Sequence, residues 1–222
     1  METILVFKVS FVDLQLKINS FHFKMKDKII TKATDLFMKL GFKSVTMDDI
    51  ASEMCISKKT IYKFFCNKEI LIEESTAMVH KAIHQSIDTI VAKNHNAIEE
   101  NFEIRKMFKE MFKVGETSPV YQLKRHYPAI YETVISREIN ECNTIFKRNI
   151  EQGIQQGLYR KDIVVNTYVE FYYTLIFSIN GNVSSEKEVN ELELQALEYH
   201  TRAMATPEGI SELEKQLLNY HL

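Results

Sequence analysis

The chain has 222 residues, 45% of them hydrophobic, and a formal net charge of −2. This composition provides a sizeable core for one or two domains without disulfide staples. No apolar run approaches the ~20 residues needed to cross a membrane, and three scattered cysteines form neither a disulfide framework nor a zinc ribbon, so we expect a cytoplasmic protein with no membrane partner.

The small net charge hides an asymmetry along the chain. Residues 24–69 contain ten lysines and six acidic residues, whereas residues 70–222 contain sixteen basic and twenty-two acidic residues. Net charge alone would argue against a nucleic-acid partner, but the basic segment is compatible with one.

The first 24 residues have a pattern of their own. Their apolar residues alternate as in a strand, and Lys8 and Asp13 interrupt the apolar stretch that a signal peptide would need. We interpret residues 1–24 as an N-terminal arm or as upstream sequence translated ahead of a start at Met25, because helical patterning begins directly afterwards.

Apolar residues at spacings of three and four, with few glycines and prolines, predict a nearly all-helical chain. The first helix ends at Gly41, which can adopt a left-handed cap, and its buried face is predicted to contain Ile29, Ala33, Leu36, Phe37 and Leu40.

Two short helices follow. Thr46 is predicted to cap the second helix in a capping box with Asp49, and Ser57 to cap a third helix over 58–65. Two short helices with a tight turn between them form a helix-turn-helix.

Asn67 is predicted to cap a long fourth helix that joins this N-terminal bundle to the rest of the chain. Helical patterns continue over 98–114, 120–126, 129–156, 162–179 and 189–205, and Thr206 with Pro207 opens a short amphipathic tail.

A helix that starts after Ser57 turns Ile61 and Phe65 inward and leaves Lys58, Lys59, Tyr62 and Lys63 outward. In a helix-turn-helix this end enters the DNA major groove, where lysine can donate to guanine. Thr46, Asn67 and Lys68, at the starts of the neighbouring helices, can reach phosphates. The alternative is that these lysines are a solvated helix face.

The segment TMDDIASEMCISKKTIYKFFCNKEIL, residues 46–71, resembles the DNA-binding signature of TetR/AcrR-family transcriptional regulators, and residues 29–45 resemble that family's first helix. The resemblance implies recognition contacts by Lys58, Lys59, Thr60, Tyr62 and Lys63 and phosphate contacts by Thr46, Tyr62 and Lys68. Cys55 stands where the family commonly has glycine. We expect Cys55 and Cys66 to be small half-buried thiols rather than redox sensors.

The resemblance also implies a homodimer, with the helices at about 162–182 and 188–205 pairing between subunits. The helix between Ile163 and Ile179 is apolar nearly all round, so a partner subunit is one way to cover it. An effector pocket would lie among the middle helices, although aromatic residues at helical spacing are more often core. The aromatic candidates are Phe102, Phe108, Phe112, Tyr121, Tyr127, Tyr131, Phe146, Tyr168 and Tyr172.

His80 and His84 have a spacing that can chelate a metal, but the sequence shows no third ligand nearby, so we predict a polar helix face and no metal site. We find no phosphate-binding loop, nucleophile elbow or catalytic carboxylate pair, and predict no enzyme activity and no cofactor.

Taken together, the sequence predicts an all-α protein: a helix-turn-helix DNA-binding domain over 25–71, joined by a long helix to a ligand-binding and dimerisation domain over 72–222. The predicted function is that of a ligand-responsive repressor that binds a palindromic operator in double-stranded DNA as a homodimer and is released by a small-molecule effector. The alternatives are a helical ligand-binding or scaffold protein whose basic bundle docks on another protein, and a helical enzyme that uses the pocket.

Overall fold

A computed structural model describes residues 24–112 and 117–221, apart from the side chains of residues 142 and 221. Within these ranges the chain is helical, with isolated bridges and no strand. The helices are 24–40 (α1), Met47–Glu53 (α2), Lys58–Tyr62 (α3), Lys68–Val91 (α4), Ala97–Phe112 (α5), Pro119–His126 (α6), Pro128–Gln155 (α7), Val165–Asn182 (α8), Glu186–Met204 (α9) and Pro207–His221 (α10).

The prediction for the N-terminal arm lies outside the described residues, except for Lys24, with which α1 begins. The proposed domain boundaries at 25–71 and 72–222 stay a prediction. The fold class is as predicted: an N-terminal helical bundle with a helix-turn-helix, followed by a larger helical domain.

Helix α1 buries most of the predicted face, including Ile29, Ala33 and Phe37. Leu40 is the exception, because it is the last residue of α1 and remains 61% exposed. Gly41 has φ +88°, as predicted for a left-handed cap, and its backbone N–H donates to the Phe37 carbonyl (2.9 Å). A side chain at position 41 would also meet the amide group of Gln122, but that group ends a flexible side chain and can move, so the positive φ is the stronger reason for glycine.

The three predicted N-caps are confirmed. Thr46 and Asp49 form a reciprocal capping box at the start of α2. Ser57 Oγ accepts the Thr60 N–H (3.1 Å) at the start of α3, and Asn67 Oδ1 accepts the Ile70 N–H (2.9 Å) at the start of α4. These bonds satisfy donors that a helix start otherwise leaves free, so the bounds of α2–α4 follow from local sequence. Helix α3 ends at Tyr62, earlier than the predicted Phe65.

Helix α4 extends from the bundle into the C-terminal domain, and the other predicted helices are present with ends that differ by no more than about one turn. The core of the bundle does not stop at α4. Leu123 of α6 and Ile130 of α7 are buried in the same cluster as the α1–α3 core, so the corner between α6 and α7 packs directly on the N-terminal bundle.

None of the described helices combines the length and the hydropathy that a membrane-spanning segment requires.

Candidate nucleic-acid interface and effector cavity

Helix α3 is held by Ile61 on its inner side and by Phe65, which lies just beyond its last residue, Tyr62. Ile61 is fully buried and Phe65 is 1% exposed, and both belong to the core cluster that contains Ile50 and Phe37. Burial of each side chain stabilises the bundle by about 1.5–3 kcal/mol relative to exposure. The orientation of α3 is therefore fixed by its inner face.

The turn between α2 and α3 uses a left-handed residue that is not glycine. Cys55 has φ +53°, its N–H donates to the Ser52 carbonyl (3.0 Å), and the Ile56 N–H donates to the Ala51 carbonyl (3.0 Å). Both bonds close the turn and offset the strain of a side chain in this conformation. Cys55 and Cys66 are both exposed, so the expectation that they are half-buried was wrong.

The outer side of α3 presents two cations and a phenol to solvent. Lys59 and Lys63 are exposed and form no ion pair with any residue that the structure describes, and Tyr62 is 44% exposed. These three residues lie one turn apart on the same side of the helix. A cationic, hydroxyl-bearing face of this size can enter a major groove.

Lys58 is also exposed, but it already has a partner. Its Nζ lies 2.7 Å from Asp48 Oδ2 of α2, and this hydrogen bond raises the pKa of Lys58. In the free protein one of the three lysines of α3 is therefore neutralised by a neighbouring carboxylate.

Thr46 and Thr60 use their hydroxyl groups within the protein. Thr46 Oγ1 caps α2 and lies 2.8 Å from Asp49 Oδ2, and the bonds from Thr46 lower the pKa of Asp49. Thr60 is half-buried, and its Oγ1 lies 2.8 Å from Ser57 Oγ. Thr46 itself is exposed, so its free surface remains available at the start of α2.

Lys68 is half-buried at the first position of α4. Its Nζ lies 5.9 Å from the Phe37 ring centroid and 5.7 Å from that of Tyr127, and it donates to the Lys43 carbonyl (3.4 Å). The predicted phosphate contact of Lys68 therefore competes with cation–π contacts that join α1, α4 and the α6–α7 corner.

A cavity of about 230 Å³ lies beneath the middle of α4. Thr76, Val79, Ile83 and Ile87 of α4 form one wall, and side chains of α5, α6, α7, α8 and α9 form the others. Met38 and Phe42, which belong to the N-terminal bundle, also line it. A molecule in this cavity would therefore touch the N-terminal bundle.

One end of the cavity is polar. Arg105 Nη1 lies 3.1 Å from Glu193 Oε2, and Arg105 Nη2 donates to the Asn190 carbonyl (2.7 Å). Nearby, burial raises the pKa of Glu186 to about 7, and the like charge of Glu193 adds to this shift. The cavity thus combines an apolar body with a charged, hydrogen-bonding end, as small-molecule sites commonly do.

Four of the nine aromatic candidates line the cavity: Phe108, Phe112, Phe146 and Tyr172. The sequence analysis did not identify the polar end. Arg105, Glu186 and Glu193 read as ordinary charged positions on amphipathic helices, and only the pairing of α5 with α9 buries them together. The feature of the sequence that could have pointed to these residues is that they are charged and interrupt otherwise buried helix faces.

The predicted dimer helices, α8 and α9, bury only part of their apolar surface within the chain. Val169, Tyr172 and Leu197 are buried, whereas Phe171 of α8 is 58% exposed and Tyr199 of α9 is 69% exposed. Large exposed aromatic residues on adjacent helices are typical of a surface that another molecule covers.

Comparison with known proteins places the N-terminal bundle in a family. Residues 29–75 match the family model described as bacterial regulatory proteins, tetR family.

Two curated relatives are transcriptional regulators. The chain is 28% identical over 162 residues to the uncharacterized HTH-type transcriptional regulator YhgD of Bacillus subtilis. The aligned residues cover 68% of this chain and 82% of YhgD. It is 29% identical over 107 residues to IcaR of Staphylococcus aureus, the negative transcriptional regulator of the biofilm operon icaADBC. The aligned residues cover 48% of this chain and 52% of IcaR.

The fold is also found among solved structures. A TetR family regulator from Cytophaga hutchinsonii superposes with a TM-score of 0.63 at 15% identity, over 82% of this chain and 96% of that one. This similarity shows the shared fold. Both curated relatives are described as transcriptional regulators.

Proposed function

We propose that the chain is a regulator of the tetR family, whose family model matches residues 29–75, and that it binds an operator in double-stranded DNA as a homodimer and represses transcription until a small-molecule effector releases it. In this proposal it acts in the cytoplasm, where the DNA is.

The observation that carries the proposal is the outer face of α3. Lys59, Tyr62 and Lys63 are exposed there, while Ile61 and Phe65 fix the helix from behind. A face that is rigidly supported and free of internal ion pairs keeps its donors in place for base edges, so little ordering cost remains at binding.

The other proposed contacts have supporting roles. Lys58 and Thr60 lie on α3 beside this face, and Thr46 and Lys68 lie at the starts of α2 and α4. Contacts by Thr46 and Lys68 would go to phosphates, which set the register of the protein on the duplex without reading sequence.

We propose that α8 and α9 form the dimer interface. The exposed Phe171 and Tyr199 supply the apolar surface for a two-fold contact, in which the same patch of each subunit meets its copy. Two-fold symmetry places two α3 helices on one side of the dimer, so the expected operator is palindromic, with half-sites one helical turn or a multiple of it apart.

The effector is expected to be a lipophilic small molecule with one polar group. The walls around Ile83, Phe108 and Ile176 would surround its apolar part. The polar group would meet the end formed by Arg105, Glu186 and Glu193, where donors and acceptors are already held in place.

Release would follow from the position of the cavity. Helix α4 forms one wall of the cavity, and Lys68 at the start of α4 contacts the region of the bundle. Phe42 of the bundle also lines the cavity. An effector that binds better to one orientation of α4 shifts the population toward that orientation. The two α3 helices of a dimer then no longer match successive major grooves, and the operator is released.

Selection of bound fragments from a random pool of duplexes tests this proposal. We expect a palindromic motif in the bound fraction of the wild-type protein and its loss in a Lys59→Ala/Lys63→Ala double variant. A bound fraction without sequence enrichment would contradict the proposal and favour a basic bundle that docks on another protein.

A further inference from the structure

The helices α4 and α7 bring together two pairs of side chains that lie 54 or more residues apart in the sequence. His80 and His84 lie one turn apart on α4, and Glu138 and Glu141 face them from α7. The prediction that no metal binds here rested on the absence of a third ligand nearby in sequence. The packing of α7 against α4 supplies that ligand.

We propose that His80, His84 and Glu141 bind a divalent transition-metal ion, with Zn²⁺ as the best match. One ligand atom from each of these residues lies within 4.8 Å of the other two. Glu141 Oε2 is 3.1 Å from His80 Nε2 and 3.5 Å from His84 Nε2. A tetrahedral zinc ion with bonds of about 2.0–2.1 Å needs ligand atoms about 3.3 Å apart, so both distances to Glu141 already match, and the two histidine nitrogens lie within 4.8 Å of each other.

Glu138 orients one of the ligands. Its Oε1 lies 2.5 Å from His80 Nδ1, which donates to it. Donation from Nδ1 leaves the lone pair on Nε2, the nitrogen that faces Glu141 and His84. A carboxylate behind a ligating histidine fixes its tautomer and ring orientation and raises its basicity.

His84 gives a second reason to expect a ligand. Its Nε2 is buried and makes no hydrogen bond with any described residue, although it lies 3.5 Å from Glu141 Oε2 and 3.7 Å from Glu138 Oε2. A buried ring nitrogen without a hydrogen bond carries a desolvation cost of about 1–3 kcal/mol, although the two carboxylates lie within ion-pair distance of it. A metal ion between His84 and Glu141 would satisfy it.

The composition of the site selects the metal. Two imidazoles and one carboxylate suit zinc and the neighbouring first-row ions better than magnesium or calcium, which prefer all-oxygen sites. Glu141 is 48% exposed at its side chain, so the ion has an entry path from solvent. Three protein ligands leave a fourth position for water.

Binding at this site would fasten α4 to α7. His80 and Glu138 also line the cavity beneath α4, so the ion would lie in the cavity wall. The test of the site needs no DNA, so its outcome can be distinguished from that of the proposed function.

The test is a zinc titration of tag-free protein in competition with a chromogenic chelator, together with the visible absorption of the Co²⁺ form. We expect one ion per chain with micromolar or tighter affinity, and a Co²⁺ spectrum typical of tetrahedral coordination. Glu141→Gln removes an exposed ligand and should weaken binding at least about tenfold, and Glu138→Gln should weaken it about 10- to 100-fold through loss of orientation.

His126→Ala is the matched control, because this histidine lies on α6 outside the cluster. The zinc affinity of this variant should equal that of the wild type. Far-ultraviolet circular dichroism of each variant confirms that it is folded. No saturable binding by the wild type, or equal affinity in wild type and a His80→Ala/His84→Ala variant that is folded, would overturn the proposal.

Discussion

Lys58 Nζ of α3 lies 2.7 Å from Asp48 Oδ2 of α2, so the helix-turn-helix holds an ion pair between its two helices. Both side chains are about half exposed or more, and this pair contributes little to stability. The effect of the pair on the proposed interface is larger, because Asp48 places a negative charge beside the surface that is proposed to contact phosphates and bases.

Asp48→Asn should therefore strengthen DNA binding. The substitution removes the negative charge and frees Lys58, so we expect affinity for every duplex to rise by about two- to fivefold at low salt. Fluorescence anisotropy with labelled duplexes measures this.

Asp35→Asn is the matched control for that prediction. Asp35 is an exposed partner of Lys39 on α1, and its substitution changes the net charge equally but away from α3. An equal rise in both variants would mean that total charge, and not the position of Asp48, determines affinity.

Lys59→Ala should relax sequence choice. Lys59 makes no ion pair with a described residue and is free to donate to a base, and loss of such a contact costs about 1–3 kcal/mol at its position in the site. Affinities for a series of single-base operator variants measure the change.

Lys68→Ala should instead weaken binding to all duplexes alike, since its predicted contact is to phosphate. Lys68 also packs over Phe37 and Tyr127, so its thermal unfolding must be compared with that of the wild type. If Lys59→Ala and Lys68→Ala affect all sequences equally, the separate roles assigned to the two lysines are wrong.

Phe171→Asp should break the proposed dimer. Phe171 is 58% exposed on α8, and a carboxylate there would be buried without a partner in a two-fold interface. Sedimentation velocity should show a dimer for the wild type and a monomer for the variant.

Leu218→Asp is its control, because Leu218 is an exposed apolar residue on α10, outside the proposed interface. A dimer that survives Phe171→Asp and dissociates in Leu218→Asp would move the interface to α10.

Glu186 should make stability depend on pH. Burial raises its pKa to about 7 in the folded chain, above the usual value of 4.5, so the folded state keeps a proton that the unfolded state releases. The contribution of Glu186 to the free energy of unfolding is therefore fully present below about pH 4.5 and is lost as the pH rises through about 7. Glu186→Gln should remove this loss, so its advantage in thermal midpoint over the wild type should grow from about pH 5 to about pH 8.

His200 contributes with the opposite sign, because burial lowers its pKa to about 4 and its share of stability is lost as the pH falls from 6.5. It is present in both proteins, so it cancels in their difference. Glu188→Gln, at an exposed position of the same first turn of α9, should show no growing advantage. If the difference in thermal midpoint between Glu186→Gln and the wild type does not change with pH, the assigned pKa of Glu186 is wrong.

The parts of the fold that sequence predicted are those governed by local interactions. Thr46, Ser57 and Asn67 cap helices that begin at the next residue, and each hydrogen bond spans three residues. Such contacts depend on neighbours in the chain, so their residue types are sufficient to predict them.

The rest depends on how distant helices pack. Arg105 meets Glu193 only when α5 packs on α9, and His80 meets Glu141 only when α4 packs on α7. The periodicity of each helix shows which face is buried but not which helix covers it. The ion pair between Lys58 and Asp48 was not predicted either, because it depends on how α2 and α3 pack.

The most direct test of the account is the salt dependence of operator affinity for the wild type and for Lys59→Ala/Lys63→Ala. If the exposed face of α3 lies in the major groove, the logarithm of the binding constant should fall linearly with the logarithm of salt concentration, by about 0.9 per neutralised phosphate. The variant should bind more weakly at every salt concentration. An affinity that does not change with salt, or a double variant that binds as tightly as the wild type, would contradict it.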